Sequence, residues 1–187
     1  MSPGRIFVLD GTNGKEIVIA YRGTQDRYDW RTNLQAAWQA DVDFLSEQDG
    51  ARTKAPWGYY QAFKDSRASL MNCLRQHVQH YGVSMKDLRV TVTGHSMGGA
   101  FAVISVLYLK TEAGIRDVAV VNFGSPKILN TTGSAMCERL IDKHNIIRAV
   151  SSDPVPYVIS DYDLFYKHVG ALQHINNGFS PMHKVNA

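Results

Sequence analysis

Only two cysteines occur in 187 residues, too few for a disulfide framework, and Cys73 and Cys137 each sit in a helical pattern that reads as two core thiols. No Cys/His spacing matches a zinc site. No apolar run approaches the roughly 20 residues needed to cross a bilayer, and no signal-peptide pattern opens at Met1. The expectation is an intracellular protein or a shortened form of a secreted one. Charge of one sign is not in excess either: 20 Lys and Arg stand against 17 Asp and Glu, a net charge of +3. That balance is too mild for nucleic acid as a partner, while it does not oppose contact with an anionic lipid surface. Repeats, linkers and low-complexity segments are missing as well. Residues 1–187 are therefore expected to form a single domain, large enough to bury about 70% of its unfolded surface.

What is present is concentrated at residues 88–109. Leu88 to Thr93 is rich in β-branched residues, Gly94-His95-Ser96-Met97-Gly98 follows as a glycine-flanked turn, and Ala100 to Leu109 is apolar almost all round. This is a strand, a sharp turn and a buried helix. A bare G-x-S-x-G is weak evidence because glycine is common; the strand–turn–helix setting gives it meaning. In α/β-hydrolases such a turn exposes the serine hydroxyl above the sheet, with the following N–H facing the reacting carbonyl.

Taken in order, Arg5 to Leu9 and Glu16 to Tyr21 read as strands joined at Asn13-Gly14, a hairpin signal. Tyr21-Arg22-Gly23-Thr24 is a strand end entering a turn, the candidate source of a second oxyanion donor. Trp30, Leu34, Ala37 and Trp38 then recur at helical spacing. They suit either core packing or a lid whose apolar face meets lipid. Gly58 to Tyr81 is a long amphipathic helix stopped by Gly82, and Val118 to Phe123 is an apolar strand running into Gly124-Ser125-Pro126. Ser134 to His144 reads as a short helix. Ile146 to Val150 is a strand that ends before Asp153-Pro154, where this fold puts the acid that orients an imidazole; the same Asp-Pro pair also suits a plain turn. His168, His174 and His183 follow, and composition does not choose among them. The alternation of strands and helices implies an α/β protein: a mostly parallel central sheet with helices on both faces and an N-terminal antiparallel hairpin.

These residues resemble the class 3 lipases, the α/β-hydrolase group of fungal triacylglycerol lipases that also contains feruloyl esterases and lipases of diacylglycerols and phospholipids. The resemblance is carried by Ile-Ala-Tyr-Arg-Gly-Thr at 19–24, Asp29-Trp30 with Asn33-Leu34, Trp57-Gly58-Tyr59 and Val-Thr-Gly-His-Ser-Met-Gly-Gly-Ala at 92–100. Further on it is carried by Phe-Gly-Ser-Pro-Lys at 123–127, Arg148 with Asp153-Pro-Val-Pro, Tyr166-Lys167-His168-Val169-Gly170 and a late His183. It implies Ser96 as nucleophile, Asp153 as acid, the Thr24 and Met97 N–H groups as oxyanion donors, and a lid at about 25–45 containing Trp30, Leu34 and Trp38. Pro56 stands where the family usually has histidine, and Leu129 where it usually has glycine.

The base is expected to be His183. His168 matches a family segment that is not catalytic, His174 matches no motif, and His183 follows a turn-rich loop able to return the chain to the top of the sheet. The expected activity is carboxylic-ester hydrolysis, on acylglycerols or other lipid esters at a lipid–water interface, without metal or organic cofactor. Two alternatives stay open: an esterase for soluble aromatic esters, and a catalytically silent scaffold used for binding or signalling.

Overall fold

The computed structural model describes residues 6–11, 13–23, 39–47, 50–150 and 166–175. A six-stranded sheet runs in the order β1 (Ile6–Asp10), β2 (Glu16–Tyr21), β5 (Arg89–His95), β6 (Asp117–Phe123), β7 (Ile146–Val150) and β8 (Ala171–His174). Only β1 is antiparallel; from β2 onward every neighbour is parallel. Each parallel step needs a crossover. Helix α1 (Trp57–Tyr81) lies between β2 and β5, α2 (Met97–Thr111) between β5 and β6, and α3 (Thr131–Leu140) between β6 and β7. Because the sheet grows one strand at a time in a single direction, right-handed crossovers put these helices in one layer. The described residues contribute no helix to the second face.

The register explains which side chains that layer buries. Ile17, Val90 and Val118 align in one row and Ile19, Val92, Val120 and Ile146 in the next, all of them buried. The same face carries α2, whose residues from Gly98 to Leu107 are all buried. The alternate rows turn the other way, and there Phe7, Leu9, Val18 and Phe123 are exposed among the described residues.

Local chemistry fixes the ends. Gly14 takes the left-handed conformation at φ 66°, and Asn13 Oδ1 accepts the Lys15 and Glu16 amides at 3.0 and 3.3 Å, which closes the hairpin. The Gly14 carbonyl meets His77 Nε2 at 2.7 Å, so the hairpin is tied to the end of α1. Asn130 caps α3 by accepting the Gly133 amide at 2.9 Å and also accepts the Lys54 amide at 3.0 Å. Leu129, at the family's glycine position, is fully buried and its carbonyl accepts the Lys167 amide at 2.7 Å. Pro56 ends the short strand β4 (Lys54–Pro56) and caps α1 with φ −57°, the angle its ring imposes. Cys73 and Cys137 are both free thiols. Burial, with a smaller contribution from Glu138, pushes the Cys137 thiol up to about 12.

Strand β3 (Gln39–Asp41) pairs antiparallel with β4, so residues 39–41, expected within a lid, belong to a small second sheet. Phe44 packs edge-on to Tyr108 at 5.3 Å and near Tyr60 and Phe63, and Asp43 meets Tyr60, Lys64 and Arg67. Near His168, Lys167 makes an isolated bridge to Leu129, and Gly170, at φ 80°, turns the chain into β8.

Candidate active site

Strand β5 ends at His95 and α2 begins at Met97, so Ser96 alone makes the turn. Its backbone sits at φ 54°, ψ −123°, and among the described residues it is the one non-glycine with positive φ. Side chains avoid this conformation, at a cost of about 1–3 kcal/mol. The turn is held by its neighbours. The Ser96 amide donates to the Phe123 carbonyl at 2.9 Å, and the Ser96 carbonyl accepts the Gly99 and Ala100 amides at 2.9 and 3.3 Å. A serine before a helix usually spends its hydroxyl on a first-turn amide. Ser96 makes no such cap.

The two flanking glycines answer to close approach. A Cβ on Gly94 would lie 2.3 Å from the Gly98 carbonyl carbon and oxygen, and one on Gly98 would lie 2.3 Å from the Tyr21 carbonyl oxygen. No side chain fits between these backbones. The same approach draws the end of β2 to the turn: a Cβ on Gly23 would stand 2.8 Å from the His95 carbonyl oxygen and 3.8 Å from Ser96 Cβ. Met97 opens α2, at the positive end of the helix dipole.

Beneath this turn lies an aromatic and hydroxyl layer that the sequence did not flag. Phe101 contacts Tyr21 at 5.9 Å and Tyr59 at 6.1 Å between ring centroids. Ser105 donates to the Tyr21 phenol at 2.7 Å. Burial pushes the Tyr21 phenol up to about 12, against hydrogen bonds with Ser105 and Ser66 that lower it. The available signal was Ser105 itself, a polar residue inside an apolar helix.

The parallel strands all deliver their C-terminal ends to one edge, where sites in open α/β sheets form. Ser96 leaves β5 there, and the chain leaves β7 after Val150 and β8 after His174 beside it: Val150 and His174 are in register, and the Ile175 amide donates to the Val150 carbonyl at 2.8 Å. Asp153 and His183 follow these two departures and lie outside the described residues, as do Thr24, Trp30, Leu34 and Trp38. His168 is half-buried and His174 exposed.

Residues 18–162 match the family model for lipase (class 3). This chain belongs to the class 3 lipases. Among its relatives, triacylglycerol lipase OBL1 of Arabidopsis thaliana is 30% identical over 201 residues, covering 88% of this chain and 38% of that protein. The chloroplastic phospholipase A(1) DAD1 of the same plant is 27% identical over 152 residues, covering 75% of this chain and 33% of that one. This class 3 lipase chain thus spans about a third of the length of such relatives. The lipase of Rhizopus microsporus var. chinensis shares the fold at a TM-score of 0.73 and 22% identity, over 91% of this chain and 56% of that one. The triacylglyceride lipase of Rhizomucor miehei does so at 0.73 and 22%, over 91% and 61%.

Proposed function

We propose that this class 3 lipase chain forms one catalytic domain, a serine hydrolase that cleaves carboxylic esters of glycerolipids through Ser96, His183 and Asp153. The observation that carries the reading is the strained, uncapped Ser96 at the C-terminal edge of the sheet. A residue held there against its conformational preference points to function. The departure of the chain toward Asp153 and His183 at the same edge supports their joining it.

In the proposed cycle Ser96 Oγ attacks the ester carbonyl as His183 takes its proton, and Asp153 fixes the imidazole tautomer and supports its charge. The tetrahedral oxyanion lies between the N–H groups of Thr24 and Met97, each worth on the order of 10²–10³ in rate. Collapse of that intermediate breaks the ester C–O bond, and the alkoxide leaves with the proton from His183. Water, deprotonated by the same imidazole, then hydrolyses the acyl-enzyme.

The substrate class comes from the relatives, whose names are those of phospholipases A1 and acylglycerol lipases. Contact with lipid is assigned to residues 25–38, with Trp30, Leu34 and Trp38 as the apolar side of a cover. Residues 39–45 are its fixed end, since β3 and Asp43 are bound to β4 and α1. No helix among the described residues is long and apolar enough to cross a membrane.

The test is covalent labelling by a fluorophosphonate, expected for the wild type and absent in Ser96→Ala, combined with a panel of phospholipid, triacylglycerol, monoacylglycerol and aromatic esters offered as monomers and as emulsions. Lipid binding with neither labelling nor turnover would assign the chain to a silent scaffold instead.

A further inference from the structure

Two buried hydroxyls from two elements meet behind the Ser96 turn. Ser105 in α2 donates to the Tyr21 phenol oxygen at 2.7 Å. Both residues are buried, so this small network stabilises only if it is complete.

Packing alone does not call for these hydroxyls. Alanine is a better helix former than serine, and α2 is otherwise apolar along its buried length. What the network does is immobilise the last residue of β2. Tyr21 pairs with Gly94, and its carbonyl oxygen lies against Gly98. Its ring touches Phe101, and its phenol is bonded to Ser105 of the same helix. From this fixed point Arg22 and Gly23 cross to His95 and Ser96, and Thr24 is the next residue.

The geometry points to Tyr21 as a positioning residue whose phenol, held by Ser105, sets how Arg22 and Gly23 leave β2 against the Ser96 turn and so aims the proposed Thr24 donor that follows them. The inference rests on the proposed role of Thr24 as an oxyanion donor. It adds to that role the device that aims the donor.

The test compares wild type, Tyr21→Phe and Tyr21→Phe/Ser105→Ala. Phenylalanine keeps the ring contact and removes only the hydroxyl. In Tyr21→Phe, kcat on a soluble short-chain ester is expected to fall about 10- to 100-fold, as for a small misplacement of catalytic geometry, with KM changed less than about 2-fold. Affinity for a trifluoromethyl ketone, whose adduct mimics the oxyanion, should fall by the same factor as kcat/KM. Amide hydrogen exchange should rise at residues 22–24 and stay unchanged in the rest of β2. The double variant, which leaves no orphaned Ser105 hydroxyl, should regain thermal stability while kcat stays low. Recovery of kcat together with stability, or unchanged exchange at residues 22–24, would overturn the inference. Failure of the wild type to react with a fluorophosphonate would instead remove the catalytic reading, and the exchange measurement would still decide whether the phenol anchors the turn.

Discussion

Replacing Ser96 by glycine should make the protein more stable than replacing it by alanine, the reverse of the order inside a helix or strand. At an ordinary N-terminal cap glycine costs only a few tenths of a kcal/mol against serine, while within helices or strands it costs about 0.5–1 kcal/mol relative to alanine. Ser96 sits at φ 54°, ψ −123°, a conformation that any Cβ opposes by about 1–3 kcal/mol. Alanine keeps the Cβ and therefore the strain. It loses only a hydroxyl that does not cap α2, so its stability should lie within about 0.5 kcal/mol of wild type. Glycine releases the strain and gives back part of the gain through the greater freedom of its unfolded chain. Subtracting about 0.5–1 from about 1–3 kcal/mol leaves a net advantage over alanine centred near 1 kcal/mol. For a chain of this size that is about 2–4 °C in Tm.

Urea titrations of both variants, analysed with a common slope, would measure this difference. Activity should fall by about 10⁴–10⁶ in both. The divergence of stability from activity is the informative result, since it means that the fold bears a cost at this residue to present a hydroxyl. A glycine variant no more stable than the alanine variant would show that the turn is unstrained, and the structural basis for naming Ser96 would go with it.

Three other outcomes follow from the same geometry. Gly98→Ala puts a Cβ where the Tyr21 carbonyl oxygen is 2.3 Å away, so α2 and β2 must separate by about 1 Å; a stability loss of about 1–3 kcal/mol and a fall in kcat of about 10²-fold are expected, and normal turnover would contradict the close approach. Among His168→Gln, His174→Gln and His183→Gln, only the last should cost as much as Ser96→Ala, because triad members act as a unit; abolition by His168→Gln with normal turnover in His183→Gln would reassign the base. Partial burial raises the Asp43 carboxyl, but the Tyr60 hydrogen bond and the Lys64 and Arg67 charges outweigh it and hold it below the usual value. Its contribution is therefore complete above the unfolded value of about 3.9 and lost as pH falls through the lower folded one. Asp43→Asn should cost less than about 1 kcal/mol at neutral pH, as the side chain is 47% exposed, and flatten the acid limb of stability below about pH 4; parallel acid limbs would refute the pairing.

Legibility in the sequence followed the strength of local constraint. Strands β2, β5 and β6 and helix α2 announced themselves because a covered sheet face imposes a period of two and a helix buried all round leaves an apolar run. Gly94 and Gly98 were legible for a steric reason that the close approaches now make explicit. Strands β3 and β4 were missed because each has three residues and one ends in proline, too short for any period. Strand β8 has all four residues exposed, so its sequence carries no alternation, and the edge of β7 supplies its order. Helix α3 begins at Thr131, ahead of the expected Ser134, because Asn130 caps it, a signal present in the letters.

The site divides along the same line. Ser96 is legible because its chemistry and its local backbone constraint sit within five residues. Asp153 and His183 were assigned from chain order and family resemblance alone, since no local period marks a residue whose role depends on a distant partner. Tyr21 and Ser105 are as widely separated, and nothing in their spacing brings them together. What the sequence does carry is a local inconsistency: Ser96 holds a glycine's backbone conformation, and Ser105 is fully buried within an apolar helix. A foldable sequence is consistent across levels except where function requires otherwise. The two serines of α2 and its cap that break the local rule both belong to the neighbourhood of the proposed nucleophile, nine residues apart on one rigid element. One makes the strained turn, and the other is hydrogen-bonded to the last residue of β2.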